Sequence, residues 1–285
     1  MNIIKKIYAK TYKSICFLIS FSTSRYLRLK TKPLKDNEMI SGSFLILVPH
    51  ADDEWVGCSR LLEEKSNNIT LCYMDMSGGD TKEIHTCRYL ELSKMAKMKN
   101  ANLIHLEGNT EIKVGQLKNV IENHRTDYIC VPACYDWHQE HLEVIKMLRK
   151  VLLNSKCSSE LKILMYQVSV PMPKNMITNG ISMNKREQKG KWLLFREIYK
   201  TQDFFPVERF MHNEFVNGGF MDSYSAEVYG CMSYKQWISF IERRVINERQ
   251  RKEIEKCFKK LIKICKVVKK IEEKNGKENY EVNIN

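Results

Sequence analysis

The sequence predicts an α/β fold with a mainly parallel sheet, and two observations carry that expectation. Short apolar runs alternate with stretches patterned at helical spacing, which implies right-handed strand–helix–strand crossovers. Clusters of acids and histidines fall just past the ends of two of those runs, where open α/β sheets place their ligands. The 285 residues suffice for one sizeable domain with appendages. The expected architecture is a Rossmann-like three-layer sandwich with basic N- and C-terminal helical extensions.

The first run, Phe44 to Val48, reads as a strand buried on both faces, entered from a linker over 33–43. It leads into Pro49-His-Ala-Asp-Asp-Glu54 and Gly57. Ile69 to Met74 is a second strand, closed by Ser77-Gly-Gly79. Glu83 to Lys97 follows as a helix whose apolar positions are Ile84, Cys87, Leu90, Met95 and Met98. Asn102 to Leu106 is a third strand and Val114 to His124 a helix. Asp127 to Pro132 is a fourth strand, which opens into Asp136-Trp-His-Gln-Glu-His141. His141 to Leu153 is a helix, marked by Leu142, Ile145, Leu148, Val151 and Leu152, and Leu161 to Val168 is a fifth strand. From Pro171 the pattern loosens. A helical segment, Lys189 to Thr201, precedes the aromatics Phe204, Phe205, Phe210 and Phe215. After Tyr234 one long basic helix is expected to about Lys274. Its stripe of Phe258, Leu261, Ile262, Cys265, Val268 and Ile271 would dock on the body or on a second copy of the chain.

These elements divide the chain into a basic segment and linker (1–42), a catalytic body (43–234) and a basic C-terminal helix and tail (235–285). The net charge is +13, but it belongs to the ends. Residues 1–35 hold nine Lys/Arg and no acid, and residues 242–274 hold thirteen Lys/Arg against six acids. The stretch between them, 36–241, is near neutral, with 24 basic and 26 acidic residues. Nucleic-acid binding through the basic ends is the reading from another class. No recognised motif or aromatic platform accompanies that charge, so no nucleic-acid partner is expected. Lys5, Lys6, Lys10 and Lys13 precede the apolar run Ile15 to Phe21, which is too short to span a bilayer and lacks a clean cleavage site. That segment is expected to pack on the body or to touch an anionic membrane face. Ten cysteines without a CxxC pair read as reduced, buried thiols and favour the cytoplasm, with the inner membrane face as a peripheral contact.

The chemistry concentrates in the two clusters. Acids seldom sit beside a buried strand unless they are paired or hold a cation. His50 and Asp53 offer an imidazole and a carboxylate to one divalent metal, leaving Asp52 to handle protons; the plainer reading is an acidic helix N-terminus favoured by the dipole. The downstream cluster favours the metal. His50, Asp53 and His141 give the three protein ligands of a catalytic zinc site, with an open position for water. Asp52 would take that water's proton. His138, as imidazolium, would stabilise the oxyanion and protonate the leaving amine. Asp136 and Glu140 would accept from ring N–H groups. A rival site is the array Cys130, Cys134, His138 and His141, spaced like a structural zinc knuckle. His85, His105, His124 and His212 have no partnered spacing and are expected to be structural or surface groups. Trp137 lines the pocket or caps the core, and Asp80 is expected to cap a helix.

Pro49-His-Ala-Asp-Asp-Glu54 followed by His138-Gln-Glu-His141 resembles the PIG-L/LmbE-like zinc-dependent deacetylases, which remove acetyl from N-acetylglucosamine-type groups. The resemblance covers about residues 43–230. It implies His50, Asp53 and His141 as zinc ligands, Asp52 as general base and His138 as the oxyanion-side acid. Arg88-Tyr-Leu-Glu91 looks like the family's Arg-x-x-Glu, whose arginine contacts substrate; on the residues alone it is equally an i,i+3 surface pair. Lys191 to Gln202 resembles a late family element, with Thr201 in place of a serine. Ala51 stands where the family has proline, and Glu140 where it has aspartate. Neither change removes a ligand, so activity is expected to survive. The implied cofactor is Zn2+, with Fe2+ suited to the same donors. The implied substrate is an N-acetylated amino sugar.

Overall fold

The computed structural model describes residues 40–258 and 260–281, together with residues 11, 14, 15, 18, 19 and 21–26; for 261, 262 and 276–281 it describes the backbone alone. Most of the 1–42 segment, and the Leu261 and Ile262 side chains of the expected stripe, therefore lie outside the described residues.

The run Phe44 to Val48 forms β1 (Ser43–Val48). Leu45 and Leu47 face one core, Phe44, Ile46 and Val48 face the other, and all five are buried. A strand apolar on both sides requires cover on both sides. The chain provides it through α1 (Asp53–Glu63), β2 (Asn68–Tyr73), α2 (Lys82–Met98), β3 (Asn102–His105), α3 (Thr110–Asn123), β4 (Tyr128–Pro132), α4 (Gln139–Leu153) and β5 (Lys162–Tyr166). It continues with β6 (Asn179–Met183), α5 (Lys185–Ile198), α6 (Val207–Asn217), β7 (Ser225–Ser233), α7 (Tyr234–Arg244), α8 (Glu248–Glu255) and α9 (Leu261–Glu281). Among the described residues the strands form one sheet in the order β3-β2-β1-β4-β5-β7-β6. β1 to β5 pair in parallel, and β7 runs antiparallel between β5 and β6. The α/β expectation therefore holds. One core packs Leu117, Leu148, Trp237, Ile254 and Val268 from α3, α4 and α7–α9, and the other packs Trp55, Met95, Trp192, Phe195 and Phe210 from α1, α2, α5 and α6.

Three expectations need correction. The helix over 83–97 exists, but Ile84, Leu90 and Met98 are exposed on it, as is Cys87. Its buried residues are Leu92, Met95 and Ala96. The inward face continues towards the N-terminus at helical spacing through Arg88 and His85, whose polar side chains mask the pattern. The single long C-terminal helix is three helices. Asn247 caps α8 in a reciprocal pair with Gln250, and residues 256–258 turn before α9 begins. Neither break uses Gly or Pro, so periodicity runs through both. Val268 and Ile271 are buried in the body's own core, as the stripe requires. Finally, β6 and β7 lie in the stretch where the pattern loosens.

β7 escapes a pattern search because Glu227 sits inside it. That carboxylate is buried and accepts from Lys191 Nζ at 2.6 Å, and Lys191 also pairs with Glu214 at 2.7 Å. Ser59 Oγ and Arg60 N–H in α1 donate to Glu227 as well, and Trp192 Nε1 donates to Glu214. This buried network ties α1, α5, α6 and β7 together. Gly57 in α1 is needed for close approach, since a Cβ there would collide with the Tyr166 ring and meet the Gln167 carbonyl at 3.0 Å.

Candidate metal centre

β1 and β4 are sheet neighbours although eighty residues of chain separate them, and the strand order reverses at this pair. Their carboxyl ends therefore open side by side at the point where such sheets bind ligands. His50 follows β1, and Asp53 opens α1. The His50 N–H donates to Asp53 Oδ2 at 2.9 Å, and Asp53 N–H returns to the His50 carbonyl at 3.2 Å, closing a tight turn. Asp52, in the middle, has φ 140° and ψ −27°, a conformation that costs a non-glycine residue about 1–3 kcal/mol. It is pinned there: its N–H donates to Glu54 Oε2, and its carbonyl accepts from Trp55 and Val56. Across the crevice, His138 is the N-cap residue of α4 and His141 lies in its first turn.

The structure brings His50, Asp53 and His141 together. Nδ1 of His50, Oδ2 of Asp53 and Nε2 of His141 form a triangle with all three edges at 3.2 Å. Tetrahedral coordination with bonds of about 2.0 to 2.1 Å places ligand atoms roughly 3.3 to 3.4 Å apart. The donor set therefore fits a divalent cation without rearrangement, and these three form the one such group among the described residues. Its electrostatics fit as well. Burial by itself would raise Asp53, but His141 and His50 outweigh it and hold the carboxyl well below the usual range. Burial would lower His141, but Asp53 and Asp136 override it and raise the imidazole well above 6.5. A proton on His141 thus occupies the place a cation would take, and metal binding must displace it.

The remaining expected residues fall around this triangle. Asp52 is buried, and its pKa is raised by that burial and then by Asp53 and Glu54; the Arg88 guanidinium opposes the rise. The His138 ring centroid lies 5.7 Å from that of His50 and 4.9 Å from that of His141. Burial, with His141 next, pushes His138 down to about 4. The ring is therefore neutral near pH 7, and a bound cation drives it further that way. That neutral ring differs from the imidazolium expected for His138. Asp136 Oδ2 stands 3.1 Å from His141 Nδ1, within ion-pair range although the ring N–H is not aimed squarely at it. Glu140 does not act as expected. It stands 4.0 Å from His138 Nδ1, beyond hydrogen-bond reach, because its side chain turns out from the helix and is 40% exposed.

Arg88 Nη1 donates to Ser77 Oγ at 2.8 Å and forms an ion pair with Asp80 Oδ2 at 3.0 Å, so Asp80 is a charge partner of Arg88, and Thr81 is the α2 cap. Glu91 accepts from both the backbone and the hydroxyl of Thr201. The i,i+3 surface pair is thereby replaced by two tertiary contacts. The rival knuckle fails: Cys130 faces the core beside Cys58, Cys134 is buried in the opposite core, and neither reaches the histidines as a ligand set. The Trp137 ring lies 3.8 Å from that of His138 and 5.2 Å from that of Phe258, lining the crevice.

Three features had no sequence signal. Tyr199 Oη donates to Glu54, whose pKa burial lifts to about 7 against the pull of that hydroxyl. Asp75, just past β2, is shared by Tyr73, His85 and His105, which gives these two histidines a structural role of the kind expected for them. Arg209 holds the rim by donating to the Phe258 and Ser169 carbonyls.

No family model matches the chain, and no curated protein matches it. Solved structures do. One is the conserved protein TT1542 of Thermus thermophilus: TM-score 0.53 and 14% identity over 65% of this chain and 92% of that one. A second is GalB, the 4-carboxy-2-hydroxymuconate hydratase of Pseudomonas putida KT2440: TM-score 0.51 and 9% identity over 68% and 96%. A third, the A40926 pseudoaglycone deacetylase Dbv21, has a TM-score of 0.47 and 11% identity over 67% and 97%. The first two establish a shared fold. A fold that also serves a hydratase does not decide the reaction, so the functional argument rests on the site.

Proposed function

We propose that this chain is a metal-dependent hydrolase that removes the acetyl group from an N-acetylated amino sugar, giving acetate and a free amine. The supporting observation is the 3.2 Å triangle of His50, Asp53 and His141 with a further buried carboxylate, Asp52, next to it in the chain. Bound there, a divalent cation supplies Lewis acidity toward a carbonyl oxygen and lowers the pKa of an adjacent water. Zn2+ is the cation we favour, and two imidazoles with one carboxylate also suit Fe2+. Asp52 is the general base. Its carboxylate takes the proton of the attacking water and returns it to the departing nitrogen. A carboxylate whose pKa is raised is a stronger base once ionised, and the nearby Arg88 charge favours that ionised form. His138 donates an imidazole N–H to the oxygen that gains charge as the carbonyl becomes tetrahedral. Asp136 fixes the ring of His141, and Arg88 contacts the substrate.

We assign this activity to residues 43–234, with 1–42 and 235–285 as extensions. We place the protein in the cytoplasm, a reading supported by the nine described cysteines, all of them free thiols. Acetate release from a panel of N-acetylglucosamine conjugates, with metal-loaded protein, tests the reaction. Turnover that a chelator abolishes is the expected result. No acetate from any conjugate, with metal bound at one per chain, would overturn it.

A further inference from the structure

Residues 21–26 are helical, as are 11, 14, 15, 18 and 19. In the sequence, Ile15, Leu18, Ile19 and Tyr26 have the spacing of one helix face roughly 100° wide, with Ser24 opposite. Burial here runs against the usual order. Ser24 is 2% exposed, while Ile15, Leu18, Ile19 and Tyr26 are 49%, 61%, 36% and 61% exposed. Phe21, on the flank, stacks against Phe215 of α6 with ring centroids 6.3 Å apart. The helix is thus seated by a polar side and one ring, and it turns its apolar stripe outward. The seat is loosely filled: Thr23 lines a mostly apolar cavity of about 610 Å3 with Val216, Asn217, Phe220 and Val268. Isolated exposed apolar residues need no explanation, but several exposed at helical spacing mark an interaction surface.

We propose that the described helical residues within 11–26 dock, apolar side chains inward, on an anionic lipid bilayer surface. Charge selects that occupant. Residues 1–35 carry nine Lys/Arg and no acid, so two copies meeting through this face would oppose like charges. An anionic headgroup layer supplies the counter-charge, and a basic helix with one apolar face lies in the interfacial plane. Among the described residues no helix is long and apolar enough to cross a membrane, so the contact is peripheral. The inference stands independently of the reaction assigned to the site.

Co-sedimentation of the full chain with phosphatidylcholine vesicles, with and without phosphatidylglycerol, tests it. Binding is expected only with phosphatidylglycerol, weakening several-fold between about 0.1 and 0.5 M salt. Replacing Leu18→Ser and Ile19→Ser together should cut partitioning about tenfold or more. The thermal midpoint should stay at its wild-type value, since both side chains face solvent. Tyr26→Trp, read against wild type, should add a fluorescence component that shifts blue on phosphatidylglycerol vesicles. Equal binding to both vesicle types, a double variant that binds like wild type, or no blue shift from the introduced indole would overturn the proposal. So would a solution dimer that the double variant dissociates, because a second copy would then cover the stripe.

Discussion

Asp136 Oδ2 lies 3.1 Å from His141 Nδ1, on the opposite side of the ring from Asp53. That carboxylate is itself held by two backbones, because its Oδ1 accepts the His138 N–H at 3.0 Å and its Oδ2 the Ser169 N–H at 3.2 Å. A carboxylate this close favours the proton on Nδ1 by charge, which leaves the Nε2 lone pair for the triangle. Asp136→Asn should therefore weaken metal affinity about 10- to 100-fold with the fold retained. Zinc titration against a competing chelator measures it, and unchanged affinity would show that Asp136 does not orient the ring.

Asp52 and Asp53 are adjacent, yet only Asp53 belongs to the triangle, and substitution should separate the tasks proposed for them. Asp52→Asn should retain metal while lowering kcat about 100- to 10,000-fold, the range for loss of a general base. His141→Ala should lose the metal, because two donors remain where three are needed. Elemental analysis beside single-turnover assays distinguishes the pair. A near-wild-type rate for Asp52→Asn would remove it from the base position.

How much of this was legible in the sequence depended on whether each inward face was purely apolar. In α4 it is: Leu142, Ile145, Leu148, Val151 and Leu152 are all buried, as their spacing predicts. In α2 the inward face begins with His85 and Arg88, so an apolar pattern search chose the solvent side. In β7 a buried Glu227, satisfied by Lys191 thirty-six residues earlier, broke the strand signal. The candidate site was half legible. Motif spacing placed His50, Asp53 and His141 past strand ends, but their meeting depends on β1 lying beside β4, which chain order does not dictate. The Glu54–Tyr199 contact spans 145 residues and leaves no local trace.

Glu54 gives the metal-free protein a pH dependence of definite sign. Burial raises its pKa from 4.5 to about 7, so the unfolded chain gives up this proton more readily than the folded one. Stability is then lost as pH rises from about 4.5 to 7, by on the order of 3 kcal/mol. His141 acts in the same sense, because its raised pKa gives stability that is complete below 6.5 and lost above it. Asp53 and Asp136 are lowered, so their contributions persist above about 4 and fail only in acid. His138, lowered to about 4, opposes Glu54 and His141 below 6.5, so in chelator the thermal midpoint should fall with rising pH between about 6.5 and 7.5. Glu54→Gln should flatten that slope, even if losing one acceptor lowers the midpoint throughout. An unchanged slope in this variant would show that Glu54 is not the titrating group.

Lys191 tests whether the buried network beneath the site serves stability alone. Its Nζ lies 2.6 Å from Glu227 Oε1 and 2.7 Å from Glu214 Oε1, and all three groups are buried. Burial would lower the lysine pKa, but the two carboxylates outweigh it and hold the amine charged. Lys191→Met preserves most of the volume and removes the charge, leaving two buried acids unpaired. Breaking a buried pair from one side costs about 3–5 kcal/mol. For a chain of this size that corresponds to a fall in thermal midpoint of roughly 10 °C. The network meets α1 at the Val56 carbonyl, Ser59 and the Arg60 N–H, but no side chain of the metal triangle bonds Lys191, Glu214 or Glu227, so metal content and kcat per folded molecule should hold. A midpoint within about 3 °C of wild type would mean that water or protonation already compensates the pair. A fall in kcat with metal retained would instead mean that the network sets the position of the Asp52 turn.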